Sequence, residues 1–146
     1  MVAKNVSTMI VMISITLIPM VVMSYGPEME GTATPRVPAP FADVSCPNFR
    51  TRDLTDPYVA IAGDAVWEGD WTCGKKFKIT CISSVDNLPP CPCKPDTSVV
   101  VTIVDHCLTQ ETCTATGDAF YLSTQAFDII SYPSPNINVK YERVYY

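Results

Sequence analysis

The sequence predicts a mostly β protein: six short strands closing into a small barrel, one short helix, and disulfide crosslinks. Three observations carry this. Residues 98–107 read Ser-Val-Val-Val-Thr-Ile-Val-Asp-His-Cys, with Thr102 the one polar interruption between Val99 and Asp105. β-Branched side chains lose rotamer freedom in a helix and pack well on a pleated sheet. A near-continuous apolar run of them marks a strand buried on both faces. Residues 75–81 and 137–144 alternate polar and apolar, as half-exposed strands do. Thirteen prolines and seven cysteines describe loop-rich, crosslinked connections. Closing short strands into a barrel removes their exposed edges.

A chain of 146 residues is enough for one domain and not comfortably for two. Its formal charge of −5 argues against nucleic acid as a partner, because phosphate recognition wants a basic surface. Low charge density and a hydrophobic content of 47% argue against disorder for most of the chain.

Residues 1–24 are a different material. Lys4 is the only charge before Glu28, and residues 9–23 are apolar apart from Ser14 and Thr16. A basic start, a short apolar core and then small residues make a secretory signal peptide. Cleavage is expected after Ser24, with Val22 and Ser24 at positions −3 and −1. The competing reading is an uncleaved anchor, which needs about 20 apolar residues. This run is shorter, and Pro19 interrupts it. The expected layout is a signal peptide over 1–24 and one domain over 25–146, soluble once cleaved.

Secretion gives the cysteines at 46, 73, 81, 91, 93, 107 and 113 a meaning: disulfides, not zinc ligands. A metal reading would use Cys91-Pro92-Cys93 and His106, but no pair has the short gap usual for zinc. No metal or other cofactor is expected. An odd count leaves one thiol free or paired with another molecule.

Taken in order, Gly31-Thr32-Ala33-Thr34 opens a first strand that Pro35 must end or place at an edge. Residues 46–57 form a polar loop tied down by Cys46. Residues 58–62 (Tyr-Val-Ala-Ile-Ala) are a short strand, followed by Asp64 as turn former or helical N-cap. Trp67-Glu68-Gly69-Asp70-Trp71 sets two tryptophans around two carboxylates. It reads either as a sugar-stacking platform or as one core tryptophan plus a lid over the adjacent disulfide. In the next strand Phe77, Ile79 and Cys81 face one way, and Lys76, Lys78 and Thr80 the other. Residues 83–97 are a turn-rich connection to the central strand. From Leu122 the period changes: Leu122, Ala126, Phe127 and Ile130 share a helical face, Ser123 is placed to cap it, and Tyr132-Pro133 stops it. The last strand alternates Ile137, Val139 and Tyr141 with Asn138, Lys140 and Glu142, and Tyr145 and Tyr146 are left to pack across the barrel end.

Four stretches in this order carry a resemblance: Trp-Thr-Cys-Gly-Lys-Lys-Phe-Lys-Ile-Thr-Cys (71–81), Val-Thr-Ile-Val-Asp-His-Cys (101–107), Phe-Tyr-Leu-Ser-Thr-Gln-Ala-Phe (120–127) and Ile-Asn-Val-Lys-Tyr-Glu-Arg-Val (137–144). The chain resembles the plant natriuretic peptide-like proteins, secreted relatives of expansins built on a family-45 endoglucanase-like domain, and more distantly barwin. The resemblance covers about residues 31–144 and implies a six-stranded double-psi β-barrel. It also implies the pairs Cys46–Cys73, Cys107–Cys113, and Cys81 with Cys93 or Cys91, each stabilising the fold by roughly 2–4 kcal/mol.

In the wall-hydrolysing relatives one carboxyl protonates the glycosidic oxygen and another activates water. Asp105 matches the family aspartate at the end of the central strand. The second family aspartate, in Phe-Asp-Leu-Ser, is Tyr121 here, and a phenol with a reference pKa of about 10 is a poor acid at cell-wall pH. The expansin-like Thr-Ala-Thr start departs after Thr34, into Pro35 and Arg36. No catalytic residue is therefore expected. Groove or ligand candidates are Thr34, Trp67, Trp71, Asp105 and Tyr121. Asp105 has an equal second reading, as a carboxylate that accepts backbone N–H groups from a neighbouring turn. His106 reads as a surface residue, and Asp118 lies near the motif in sequence only.

The resemblance, the secretory start and the missing acid imply a non-enzymatic apoplastic protein of natriuretic-peptide type. It would act in signalling, ion and water balance or stress through a cell-surface receptor. The alternative is an expansin-like module that binds or loosens cell-wall polysaccharide. A second alternative is a barwin-like defence protein. A monomer is expected, or a dimer through the odd cysteine.

Overall fold

The computed structural model describes residues 22–36, 45–47, 55–107 and 117–145. Nearly all of the expected signal peptide, together with Cys113 and Tyr146, lies outside the described residues. Among the described residues no helix is long and apolar enough to cross a membrane.

The elements are β1 (Ser24–Tyr25), β2 (Met29–Pro35), β3 (Val59–Ala62), β4 (Lys76–Ser84), β5 (Val99–His106), β6 (Phe120–Leu122), α1 (Thr124–Ile130) and β7 (Ile137–Tyr145). One 3-10 turn, Asp70–Thr72, precedes β4. Neighbouring strands run β7–β2–β6–β3–β5–β4, and β4 pairs back onto β7, so six strands close into a barrel. The β2–β6 and β3–β5 pairs are parallel and the others antiparallel. β1 and β2 occupy successive parts of one edge of β7.

β5 is the most buried long strand, as its β-branched run requires. Ile103 and its neighbour Val104 are both 0% exposed, so each face of the strand is covered. β4 and β7 follow their alternation: Phe77, Ile79, Val139 and Tyr141 are buried, and the lysines between them are half-exposed. One element differs from expectation. The sequence period puts the helical face from Leu122, but residues 120–122 form β6, all buried, and the helix starts at Thr124. Three residues are too few to show a period of two, and Leu122 fits either pattern.

Ser123 makes the switch from β6 to α1. Its Oγ accepts from the N–H of Ala126 at 3.3 Å as the N-cap. The same hydroxyl donates to the carbonyl of Pro57 at 2.7 Å, and its N–H donates to the carbonyl of Val59. Helix start and strand β3 are therefore joined through one side chain that is 0% exposed.

Phe77, Phe120 and Tyr141 meet at the centre, with Phe120 edge-on to Tyr141 at a centroid distance of 4.9 Å. Burial pushes the Tyr141 phenol above its ordinary pKa of 10.0, because the low-dielectric core penalises the phenolate. At the chain end Tyr145 does not pack across the barrel; it is 43% exposed, with the Arg143 guanidinium 4.7 Å from its ring.

Cys46 is bonded to Cys73, and Cys81 to Cys93. Cys107 is also disulfide-bonded, and its expected partner Cys113 lies outside the described residues. Cys91 is an exposed free thiol. The Cys81–Cys93 link runs the 83–97 connection back past the helix, where Cys93 bridges Ser131 and the Lys94 N–H donates to the carbonyl of Ile130.

Ser123→Ala removes the cap and orphans buried groups at both ends of this joint. It should cost about 2 kcal/mol in denaturant unfolding, against a few tenths for an exposed serine. Tyr141 should titrate above its ordinary value when tyrosinate absorbance is followed in wild type against Tyr141→Phe. Because its folded pKa is raised, the stability it contributes is complete below pH 10.0 and is lost as pH climbs through the folded value. Tyr141→Phe should remove that share of the alkaline destabilisation.

Candidate functional site

The strand registers bring three of the candidate residues into one row. Thr34 on β2 pairs with Tyr121 on β6, Tyr121 with Ile61 on β3, and Ile61 with Asp105 on β5. Alternation sends their neighbours Ala33, Phe120, Ala60 and Ala62 into the barrel core. The row lies on the opposite face. A register shift between Ala60 and Ile61 sets Asp105, not Val104, opposite Ile61. Val59, Ile61, Val104 and Tyr121 form a second apolar cluster there, with Cys107 packed on it.

Asp105 sits at the end of this row, 6% exposed. Its Oδ1 accepts from the backbone N–H of Ser45 at 3.0 Å and from that of His106 at 2.8 Å. Ser45 precedes Cys46, whose disulfide reaches Cys73. The carboxylate and the bridge thus pin the same segment, the first to β5 and the second to the loop before β4. Of the two readings of Asp105, this geometry is that of a clamp.

Asp118 is the residue that sequence reasoning did not connect. It is 3% exposed, and its two carboxylate oxygens accept from Thr32 Oγ1 at 2.6 Å and Thr34 Oγ1 at 2.5 Å. The signal was there in part: Thr-Ala-Thr on a strand puts both hydroxyls on one face. What they bind lies more than eighty positions away. Gly63 permits the approach, since a Cβ there would stand 1.8 Å from the Asp118 carbonyl oxygen.

Trp67 and Trp71 lie off the row, in the loop between β3 and β4. Trp67 packs against the core and stacks flat on His106, with centroids 4.3 Å apart and planes within 1°. His106 Nε2 is 2.9 Å from Asp64 Oδ1. The imidazole is thus a packed bridge and not the surface residue expected. Trp71 is 64% exposed, and the Lys75 ammonium lies 3.4 Å from its ring centroid. That ammonium also meets Glu68 Oε2 at 3.2 Å.

A cleft of about 400 Å³ opens elsewhere, beside β4 and β7. Within it Lys78 is paired with Glu142 and Lys140 with Glu28, and Lys94 and Asp96 also line it. Among the described residues no three His, Cys, Asp or Glu side chains are grouped to hold a metal ion.

A closed ring of six strands with two parallel pairs, carrying a polar and aromatic flank outside a filled core, defines a double-psi β-barrel domain. The profile of such a family, described as lytic transglycolase, matches residues 60–141. A Citrus jambhiri protein described as EG45-like domain containing protein is 35% identical over 104 residues, 71% of this chain and 72% of its own length. A putative EG45-like domain containing protein 1 of Arabidopsis thaliana is 40% identical over 84 residues, 57% of this chain and 63% of its own. The chain belongs to the family of EG45-like domain containing proteins. Two solved structures share its fold with a TM-score of 0.57 and 17% identity: apo expansin of Clavibacter michiganensis, and a mutant of that expansin in complex with cellohexaose. Each is covered over 51% of its length, so the chain spans about half of those proteins.

Asp105→Ala should destabilise by ~3 kcal/mol, because two buried N–H donors lose a charged acceptor. Asp105→Asn keeps an acceptor oxygen and should cost less than half of that. Denaturant midpoints of the two variants check this; equal, small losses would mean that Asp105 is no clamp.

Proposed function

We propose that this chain is a secreted, non-hydrolytic protein of the plant extracellular space that works by binding cell-wall polysaccharide without cleaving it. The observation that carries this reading is the state of Asp105. An acid in glycoside hydrolysis must reach the glycosidic oxygen or a water beside it. Asp105 instead turns its Oδ1 to two backbone N–H groups and is nearly enclosed. Its partner across the row is Tyr121, 2% exposed and packed among Val59, Ile61 and Val104. Asp118, the other enclosed acid nearby, holds two threonine hydroxyls. Support for a glycan ligand comes from a protein of the same fold, the Clavibacter michiganensis expansin, a mutant of which is described in complex with cellohexaose. Support for secretion comes from the N-terminal segment and from three disulfide-bonded positions outside the Cys81–Cys93 pair: Cys46, Cys73 and Cys107.

The second reading is apoplastic signalling through a cell-surface receptor. It is favoured by the same enclosure of the row, which leaves little of Tyr121 or Asp105 for a sugar to touch.

Purified mature protein incubated with insoluble wall polysaccharides should be retained on the solid and should release no new reducing ends. Reducing ends that grow with protein concentration and vanish in Asp105→Asn would overturn the non-hydrolytic reading. Absence of retention on every polysaccharide would place the receptor reading first.

A further inference from the structure

We propose that Trp71 is the stacking surface for the sugar, and that it selects a neutral glycan chain; this rests on the polysaccharide-binding reading above. An indole 64% exposed on a folded domain leaves apolar area in water, which folding alone does not favour. Here the ring is also held in place. The Lys75 ammonium lies under one face at 3.4 Å from the centroid, itself nearly enclosed and anchored by Glu68 at 3.2 Å. The Glu68 N–H donates to Thr72 Oγ1 at 2.9 Å, fixing the backbone on either side of the ring. Gly69, at φ +108°, leaves room at the ring edge, where a Cβ would stand 3.1 Å from Trp71 Cδ1 and Nε1. One face and one edge are therefore committed inside the protein, and the other face is presented ready-made. Presenting a rigid aromatic surface lowers the ordering cost of binding.

The surroundings choose the ligand. Protein-docking patches are contiguous apolar surfaces. Among the described residues of the 63–75 loop, Trp71 is the only exposed large hydrophobic side chain. The exposed carboxylates of this loop are Asp64, which meets His106, Glu68, which meets Lys75, and Asp70, next to Trp71 in the chain. A flat apolar face with the exposed Asp70 next to it in the chain matches a pyranose, whose C–H face is apolar and whose hydroxyls donate. Asp70 and the formal charge of −5 disfavour a uronate chain.

The test compares wild type, Trp71→Ala and Tyr132→Ala on insoluble neutral glucan and on insoluble polygalacturonate. Tyr132 serves as the control because it is 56% exposed on another part of the surface. Wild type and Tyr132→Ala should bind the neutral glucan equally. Trp71→Ala should bind it about tenfold more weakly, the loss expected for one stacking contact. Matching circular dichroism and denaturant midpoints would show that each variant is folded. Retention on glucan unchanged in Trp71→Ala would overturn the assignment of Trp71 while leaving polysaccharide binding intact. Equal or tighter retention on polygalacturonate would overturn the neutral selectivity. No retention of wild type on either would overturn both this inference and the binding reading beneath it.

Discussion

The ladder between β4 and β7 is the contact on which the rest of the molecule depends. It joins Lys76–Ser84 to Ile137–Tyr145 through eight registered pairs, and without it the sheet would be an open band with β4 as a free edge. Closure gives the sheet an inside. Phe77 and Ile79 from one strand and Val139 and Tyr141 from the other then surround Phe120. It also decides what remains outside, where Lys78 pairs with Glu142 across the same ladder. Such a contact closes a long loop and is entropically expensive to form. The Cys81–Cys93 bridge places the end of β4 beside the C-terminal end of α1, where Cys93 pairs with Ser131, a few residues before β7 begins.

A filled interior confines function to the flanks and loops, and there the protein has spent most of its polar groups on itself. Asp105 secures the segment that carries Cys46. Asp118 ties β2 to the start of β6 through two threonines. His106 joins Trp67 to Asp64 at the end of the central strand. Asp105 and Asp118 accept where backbone or hydroxyl donors would otherwise be left unpaired, which is the costly outcome in a domain of this size. What is left unspent among the described residues of the β3–β4 loop is the outer face of Trp71 and the neighbouring carboxylate of Asp70.

Much of the fold was legible because its strands carry strong local patterns. Val99–His106 shows two-faced burial in its composition, and Ile137–Tyr145 shows one-faced burial in its alternation. Ser123 announced the helix start through its position ahead of an apolar 3.6 period. β6 was not legible, because three residues carry no period and its meaning comes from its partners β2 and β3. The site was legible only by halves. That Asp105 ends the central strand is local information. That its oxygen would find Ser45, sixty positions earlier, is tertiary. The Thr32–Asp118–Thr34 bridge and the stack of Trp67 on His106 are of the same long-range kind, and no spacing in the chain encodes them.

Tyr121 shows how the barrel and its chemistry trade against each other. The resemblance expects an aspartate at this position, across a single intervening strand from Asp105. Two carboxylates on one row raise each other's pKa values, and burying either without a partner is costly. Hydrolytic sites tolerate that cost because catalysis needs the tuned pair, and stability gives way to function there. A phenol carries no charge at ordinary pH and brings a large apolar ring. At 2% exposure, Tyr121 joins Val59, Ile61 and Val104 in a second core on the flank. The row thereby loses the repulsion that would tune an acid and gains packing that holds β6 against β3. With that exchange made, Asp105 needs no second acid to be useful. It has a structural role that a lone carboxylate fills, and on the proposal made above recognition falls to Trp71 in the β3–β4 loop.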